Sequence, residues 1–301
     1  MNGRSLADGV RGCFCRLMIA RSVFFQLAFV FLLIPALGQE VFPDRGIADV
    51  FPGDRGIEKD SRVVFVEDFE ERSRDELWGR WETVGDKAGQ SFSEDVPGGS
   101  AGRKSLVMER EKGSGAQLYR RLKNKDGGWG YDRIFARYYV KFADDCGEIH
   151  HFGPCLGGNN PPIRWPSVRA GQPTDGAKSF WSGIEPFGKS WVWDYYTYWC
   201  EMRGSPPRGQ TWGNTFVRDP ELKVVKGKWI CVEQMIKMND PEDRNGEQAL
   251  WIDGKLVSHL GKSLPKGLWT YDKFTPAKGG SGGRWDKGKA ATAAALAGLG
   301  A

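Results

Sequence analysis

Three features are scarce in this sequence, and each absence narrows the possible functions. Lysine and arginine are not gathered into a basic tract, and the formal net charge is only +5 over 301 residues, which argues against a nucleic acid partner. No segment has the apolar spacing of a long amphipathic helix. Histidine occurs three times. We expect His150 and His151 to be neighbours on a strand, where adjacent side chains point to opposite faces and cannot chelate one ion together. No further histidine lies near them, so we expect no histidine metal site and no cofactor.

The longest apolar run is short for a membrane span. It covers residues 23–33, follows two arginines, and is followed by small residues at Ala36 and Gly38, the pattern of a secretory signal. We predict a signal peptide over residues 1–38 and a secreted, periplasmic or cell-surface protein without stable membrane insertion after cleavage. An uncleaved anchor is the alternative, and Met18 is an alternative start.

The sequence at both ends of the remaining chain is typical of non-globular segments. Residues 39–61 hold a near-duplication, VFPDRGI and VFPGDRGI, whose Pro/Gly-rich copies indicate a linker. Residues 277–301 are rich in glycine and alanine and show no returning strand, so we predict a disordered tail. The folded domain is expected over residues 62–276.

The clearest pattern in the domain lies in residues 226–259. Apolar and mixed positions alternate from Ile230 to Met238, as in a strand with one buried face. The pair Asp253-Gly254 is a strong signal for a two-residue type I′ hairpin. Together they predict an antiparallel meander.

Shorter runs between turn formers predict further strands at 62–70, 105–109, 116–120 and 133–142. This spacing is typical of a β-sandwich. Tryptophan is abundant, at 13 copies, and six of them lie between positions 165 and 212. Such a cluster forms either the core or an aromatic platform, and both interpretations stay open.

Three segments carry a family resemblance: VVFVEDFE, RIFARYYVKF, and GKWICVEQMIKMN followed by a turn and LWIDGKLV. They resemble the concanavalin A-like jelly roll and, more narrowly, the alginate and glucuronan lyases built on it. The resemblance covers residues 62–275. It implies an all-β, two-sheet antiparallel jelly-roll sandwich whose concave sheet forms a groove for an acidic polysaccharide, which such lyases cleave by β-elimination.

The same resemblance implies catalytic residues. His151 stands where the family has its catalytic lysine, and Tyr196 and Tyr198 match a Tyr-x-Tyr on a groove strand. The elimination requires a group that neutralises the uronate carboxylate, a base for the C5 proton and an acid for the leaving oxygen. Histidine and tyrosine can supply the base and the acid near neutral pH.

Six further side chains are expected to bind substrate: His150, Trp181, Glu185, Trp193, Glu233 and Lys237. Glu185 departs from the family pattern, which has an arginine on this strand, and an anion beside a uronate weakens binding. Glu185 also permits a different site, a glycosidase pair with Glu201 or Glu233.

Four cysteines remain after removal of the signal peptide: Cys146, Cys155, Cys200 and Cys231. Four cysteines allow three pairings, and we predict that the first bonds to the second and the third to the fourth. The second bond would join neighbouring strands and bring four candidate side chains onto one face, those of Tyr196, Tyr198, Glu233 and Lys237.

Asp240, Asp243 and Asn245 offer oxygen ligands of the kind that calcium prefers, but an ordinary turn is the simpler interpretation. We therefore predict a secreted, monomeric protein that acts on a polysaccharide or oligosaccharide, most plausibly as a β-eliminating lyase. The alternative is a non-catalytic carbohydrate-binding module that uses exposed tryptophan faces.

Overall fold

Strands dominate the structure. The computed structural model describes residues 50–109, 116–149, 151–164, 168–204, 209–261, 267–270, 273–276 and 299–300. Within these residues the single α-helix, α1 (Arg74–Gly79), has six residues. The strands are β1 (Thr83–Gly85), β2 (Gln90–Ser93), β3 (Ser105–Met108), β4 (Gln117–Tyr119), β5 (Arg133–Val140), β6 (Cys155–Asn159), β7 (Ser179–Phe187), β8 (Val192–Tyr198), β9 (Ile230–Lys237), β10 (Glu247–Ile252), β11 (Lys255–Leu260), β12 (Gly267–Thr270), β13 (Lys273–Pro276) and β14 (Leu299–Gly300).

Two antiparallel sheets carry most of the domain. One has the strand order β11-β10-β9-β5 and the other the order β6-β7-β8. A single cluster of buried side chains draws on both sheets, with Ile236 and Leu250 from the first and Phe180, Ile184 and Tyr195 from the second. Because one face of each sheet contributes to a shared core, the predicted all-β, two-sheet sandwich is confirmed. Smaller sheets of the orders β1-β4-β14, β2-β3 and β12-β13 complete the described chain.

The predicted meander is present as β9, β10 and β11. Ile230, Val232 and Ile236 all face the core, as the alternation predicts. Asp253 and Gly254 connect β10 to β11 with φ angles of 50° and 74°, the two positive values that a type I′ turn requires. The Asp253 carboxylate also accepts a hydrogen bond from the backbone N–H of Cys231 at 2.9 Å, which ties the turn to β9.

The strand predicted over residues 62–70 is wrong. Residues 63–70 have no strand partner, and their polar groups bond to side chains instead. Glu67 accepts hydrogen bonds from the backbone N–H of Phe69 at 3.1 Å and from Trp81 Nε1 at 3.0 Å. Phe69 has a φ of 59°, a left-handed conformation that no regular strand contains. Burial raises the pKa of Glu67 to about 7.

The predicted terminal segments are described only in part. The signal segment and residues 39–49 lie outside the described residues. The rest of the predicted linker forms two short 3-10 turns, and Asp54 pairs with Arg137 of β5 at 2.8 Å. Of the predicted tail, only residues 299–300 are described, and they pair with β4. No helix among the described residues is both long and apolar enough to cross a membrane.

A buried polar bridge joins the two sheets. Ser182 of β7 lies 3.0 Å from Thr197 of β8, oxygen to oxygen, and donates to Gln248 Oε1 of β10 at 3.2 Å. Gln248 Nε2 donates back to Thr197 Oγ1 at 3.5 Å. Because these three side chains are buried and bond to one another, they fix the position of one sheet against the other.

Candidate active site

The outer face of the three-stranded sheet carries the predicted acid–base residues. Side chains alternate between the two faces of a strand. On β7 and β8 the core side takes Phe180, Ile184 and Tyr195, so their neighbours point outward. The register places Trp181 opposite Tyr198, Gly183 opposite Tyr196 and Glu185 opposite Asp194.

His151 and Glu185 form a pair at this face. His151 Nδ1 lies 3.4 Å from Glu185 Oε2, and the backbone N–H of Phe152 also donates to that oxygen at 3.4 Å. The His151 side chain is 51% exposed and that of Glu185 only 7%. The buried carboxylate therefore contacts Nδ1 of an imidazole that is itself half exposed, so the ring lies on the solvent side of Glu185.

The local structure around His151 differs from the expectation. The sequence interpretation placed His150 and His151 on a strand, but His151 lies in the loop before β6, and His150 lies outside the described residues. The loop begins after a turn at Cys146, whose N–H bonds to Ala143 O at 3.0 Å. A loop position allows His151 to reach across to Glu185 on β7, which lies beyond β6 in the chain.

Tyr196 lies next to His151, and Tyr198 lies next to Tyr196. The rings of His151 and Tyr196 have centroids 4.8 Å apart, and the phenol oxygens of Tyr196 and Tyr198 lie 3.3 Å apart. Tyr196 is partly exposed, whereas Tyr198 is 3% exposed. Burial raises the pKa of both phenols, and the nearby charge of Glu185 adds to the effect. Both tyrosines are therefore protonated near neutral pH and able to donate a proton.

Two glycines form the floor of this face beside the aromatic residues. A Cβ at Gly157 would lie 2.9 Å from the carbonyl oxygen of Phe180, and one at Gly183 would lie 2.8 Å from Cys155 Sγ. The register places the half-buried Trp181 directly opposite Gly157, and Gly183 lies two residues further along β7. No larger residue fits at either glycine without displacing its neighbours.

Asp194 holds the loop of residues 216–218 against β8. It is buried on β8, and its carboxylate accepts hydrogen bonds from four backbone N–H groups at 2.7 to 3.0 Å. The donors are its own neighbour and three consecutive loop residues: Tyr195, Phe216, Val217 and Arg218. Burial raises the pKa of Asp194, and these bonds act in the opposite direction. Sequence reasoning missed this role, although a lone acid inside the aromatic run VWDYYTYW was a visible signal.

The anchored loop places Gly213 directly against the ring of Tyr196. A Cβ at this glycine would lie 2.7 Å from three ring carbons of Tyr196. Asn214, the next residue, pairs with Thr197 of β8 through backbone hydrogen bonds of 3.1 and 2.8 Å. Gly213 therefore holds the Tyr196 ring in place between the loop and His151.

Replacement of Gly213 by alanine is expected to displace the Tyr196 ring. The added methyl group overlaps the ring, and such overpacking costs about 1–3 kcal/mol of unfolding free energy. We expect any activity of this face to fall by about tenfold or more, since small displacements of catalytic groups have large effects.

Urea unfolding and turnover assays measure both effects. Gly98→Ala is the matched control, because nothing lies within 4 Å of its added Cβ. Wild-type stability and activity in Gly213→Ala would contradict the tight contact.

The other predicted binding residues lie apart from this face. Trp193 is 1% exposed and packs in the core between the sheets. Glu233 and Lys237 belong to β9, in the opposite sheet, and point away from the shared core. Glu233 lines a cavity of about 1910 Å³ between residues 50–70 and β5. The expected common face for Tyr196, Tyr198, Glu233 and Lys237 is therefore wrong, because β8 and β9 belong to different sheets.

Neither predicted disulfide is present. All four cysteines, Cys146, Cys155, Cys200 and Cys231, are thiols. Cys200 follows β8 and Cys231 lies on β9, so the second bond would have to connect two different sheets. In the first pair, Cys155 Sγ donates to Gly153 O at 3.3 Å and Cys146 Sγ to Gly147 O at 3.6 Å.

The alternative glycosidase pair, Glu185 with Glu201 or Glu233, does not form either. Glu201 bonds to Arg244 at 2.7 Å, and Glu233 lies in the opposite sheet from Glu185. The predicted turn at residues 240–245 is an ordinary one: Asn245 Nδ2 donates to Asp240 Oδ2 at 2.7 Å.

One carboxylate cluster elsewhere has the spacing of a cation site, within 4.8 Å. It comprises Glu67, Asp68 and Glu71, and the guanidinium of Arg80 already lies within salt-bridge distance of all three. The arginine supplies the positive charge there.

Lys237 belongs to a charged group on the outer face of the four-stranded sheet. Glu247 lies 3.0 Å from Lys237 Nζ and 3.0 Å from His259 Nε2. Burial alone would raise the pKa of Glu247, but the hydrogen bonds from His259 and Lys237 outweigh it and lower the pKa to about 2. Glu247 is therefore ionised over nearly the whole pH range.

Because of this charged group, we expect the folded chain to lose stability in acid. The pKa of Glu247 is lower in the folded chain than the ordinary 4.5, so protonation favours the unfolded chain as the pH falls from about 4.5 to about 2. We expect Glu247 to contribute about 2 kcal/mol at pH 7, allowing for solvent screening.

Urea unfolding at pH 7 and pH 3 measures this contribution. Glu247→Gln should be less stable than the wild type at pH 7 and lose less on acidification. Glu201→Gln, which breaks an exposed pair, should change stability by less than about 1 kcal/mol. An equal acid dependence in Glu247→Gln and the wild type would contradict the assignment.

The fold and this face together define a class: an antiparallel β-sandwich with a histidine–carboxylate pair and two tyrosines on the outer side of one sheet. No protein-family model and no curated protein matches the sequence.

Several solved lyases have a similar chain arrangement. An alginate lyase from Aplysia kurodai is 12% identical over 80% of this chain and 88% of its own, with a TM-score of 0.48. An alginate lyase from a Chlorella virus is 13% identical over 74% and 83%, with a TM-score of 0.45. An endo-β-1,4-glucuronan lyase from Trichoderma reesei is 16% identical over 73% and 78%, with a TM-score of 0.35. These are the classes that the sequence motifs resemble, but likeness at this level assigns no reaction to this chain.

Proposed function

We propose that this protein cleaves an acidic polysaccharide by β-elimination at the outer face of the three-stranded sheet. The observation that carries the proposal is the connected set His151–Glu185–Tyr196–Tyr198, which joins a candidate base to candidate acids through contacts of 3.3 to 4.8 Å. A purely structural sheet face has no need of an exposed imidazole held by a buried carboxylate.

In this proposal His151 is the base. Its Nδ1 side faces Glu185, so Nε2 is the nitrogen that takes the C5 proton of the uronate. The Glu185 carboxylate then stabilises the imidazolium that forms. The acidic residue that departs from the family pattern thus has a role behind the histidine, where it does not meet the substrate carboxylate directly.

Tyr196 is the acid. It is partly exposed and contacts His151, and its raised pKa keeps the phenol protonated until the leaving oxygen of the glycosidic bond accepts the proton. Tyr198 is almost fully buried and bonds to Tyr196 from behind, so it is a positioning residue. The electron pair of the broken C5–H bond forms the C4–C5 double bond as the C4–O bond breaks.

An absorbance assay tests the reaction directly. The full chain is incubated with alginate and with glucuronan, and absorbance is followed at about 235 nm, where the new double bond conjugated to the carboxylate absorbs. We expect a rise in absorbance with at least one polymer at a rate proportional to protein concentration. No rise with either polymer, or a rise that persists in His151→Ala, would overturn the proposal.

A non-catalytic carbohydrate-binding module is the second candidate. The half-buried Trp181 on the same face favours it, because indole rings bind sugar rings without chemistry. Binding of alginate or glucuronan without a rise in absorbance would support the module and exclude the lyase.

We also propose that the chain is secreted, on the basis of the signal pattern in residues 1–38, and that the mature chain is a monomer. Sequencing of the mature N-terminus from a secreting host should find Gln39 first. A retained N-terminal segment would contradict the cleavage, and light scattering of the mature chain tests the monomer.

A further inference from the structure

We propose that Trp212 forms a sugar-stacking subsite beside the acid–base set and binds a pyranose ring next to the one that reacts. This inference rests on the proposed function for its substrate class. Trp212 was one of the clustered tryptophans in the sequence, but nothing there separated it from the others.

Exposure distinguishes Trp212 from the other tryptophans. Its residue is 36% exposed, and it is the only exposed tryptophan among those whose burial the structure describes. In the same cluster, Trp193 and Trp199 are buried in the core and Trp181 and Trp191 are half-buried. About a third of the Trp212 surface therefore remains in solvent, where apolar surface is available to a ligand.

Chain connectivity places Trp212 next to the candidate acid. The following residue, Gly213, contacts the ring of Tyr196. The preceding residue, Thr211, pairs with Gly171 through a backbone hydrogen bond of 3.2 Å. The Trp212 ring passes this glycine, 3.9 Å from the position of an added Cβ. Trp212 is therefore the residue next in the chain to the Tyr196 contact, and its ring borders Gly171.

The buried side chain of Asn214 holds the segment in place. Its Nδ2 donates to the carbonyl oxygens of Trp212 and Arg203 at 3.4 and 3.0 Å, and its Oδ1 accepts from Trp199 Nε1 at 2.9 Å. The backbone of Trp212 is thus fixed before any ligand arrives. Because this backbone is already ordered, little backbone entropy is lost when the indole stacks on the flat face of a sugar ring.

The positions of these residues also set the order in which a bound polysaccharide would contact them. A polysaccharide that presents its scissile bond to His151 and Tyr196 would extend past the Gly213 backbone, which packs against the Tyr196 ring, and meet the indole with a neighbouring pyranose. Stacking at a ring that does not react contributes to substrate binding and leaves the proton transfers unchanged.

Variants of the full chain test the subsite. We expect Trp212→Ala to raise KM and the Kd for short alginate or glucuronan oligosaccharides by about tenfold, with kcat within about twofold. Trp212→Phe keeps a ring and should stay within about threefold of the wild type. Phe135→Ala removes another exposed aromatic residue, on β5 in the opposite sheet, and should leave all three constants unchanged. Thermal melts show that each variant is folded.

The outcomes separate the subsite from the proposed reaction. Wild-type KM and Kd in Trp212→Ala would overturn the subsite even if the chain is a lyase. An equal loss in Trp212→Ala and Phe135→Ala would also overturn it, as a general surface effect. If the wild type binds the oligosaccharides without cleaving them, the reaction fails, and the Kd values alone decide the subsite. If the wild type binds neither oligosaccharide, both proposals fail.

Discussion

Tyr196→Phe should lower kcat by about a hundredfold or more while leaving the fold intact. The substitution keeps the ring that packs against His151 and Gly213 and removes only the phenol oxygen. General acid catalysis by a positioned side chain contributes about 10²- to 10⁴-fold. Without the hydroxyl, the leaving oxygen has no proton donor in this arrangement. Turnover of alginate or glucuronan at saturating substrate measures the effect.

Two matched variants show whether the loss belongs to the acid. Tyr198→Phe removes the hydroxyl behind Tyr196, and we expect a smaller fall, of about tenfold, since Tyr196 keeps its own proton. Tyr131→Phe removes a phenol that donates to Lys123 O at 2.6 Å, away from the site, and should leave kcat unchanged. A Tyr196→Phe variant with kcat within about threefold of the wild type would remove Tyr196 from the mechanism. Equal losses of kcat in Tyr196→Phe and Tyr198→Phe would instead indicate that the two phenols share the donated proton.

Among the variants proposed here, Asp194→Ala should lower the free energy of unfolding the most, by about 4 kcal/mol. The substitution leaves four backbone N–H groups without their acceptor, and each buried unsatisfied donor costs about 1–3 kcal/mol, reduced where the loop opens to water. The loop that carries Gly213 would separate from β8, so activity should fall as well. Urea unfolding monitored by tryptophan fluorescence measures the change in midpoint.

The nearby Asp219 provides the control for Asp194. It accepts one hydrogen bond, from the backbone N–H of Glu221 at 2.9 Å, and is exposed. Asp219→Ala should therefore cost less than about 1 kcal/mol. Asp194→Asn keeps one acceptor oxygen and should fall between the two. A loss below about 1 kcal/mol in Asp194→Ala would show that the four hydrogen bonds do not anchor the loop.

The sequence predicted the parts of the fold that short-range patterns control. Alternation in β9 and the Asp253-Gly254 turn depend on neighbouring residues, and the meander formed as expected. The strand expected at residues 62–70 failed because the same apolar alternation leaves the acids free to bond their own backbone, as Glu67 does with Phe69. Periodicity gives no measure of that competition.

The sequence grouped His151, Tyr196 and Tyr198, which do lie together in the structure, but it placed Glu233 and Lys237 on the wrong sheet. A period of two shows which side chains share a strand face but not which sheet a strand joins, and so Glu233 and Lys237 were placed beside the tyrosines. The disulfides failed for the same reason, since Cys200 and Cys231 were assumed to lie on paired strands. Asp194 acts on residues more than twenty positions later, and no local pattern indicates a contact of that range.

The two glycines beside Trp181 limit how this protein could change its substrate. A methyl group at Gly157 or Gly183 would collide with a backbone oxygen or a buried sulfur, so selection and engineering have almost no freedom to reshape the bottom of the surface. Under the proposed function, a change in glycan preference would have to come from its borders, above all from the segment that ends at Asn214. Libraries that randomise positions 210–212 and keep Gly157, Gly183 and Gly213 should then yield altered specificity in chains that still fold.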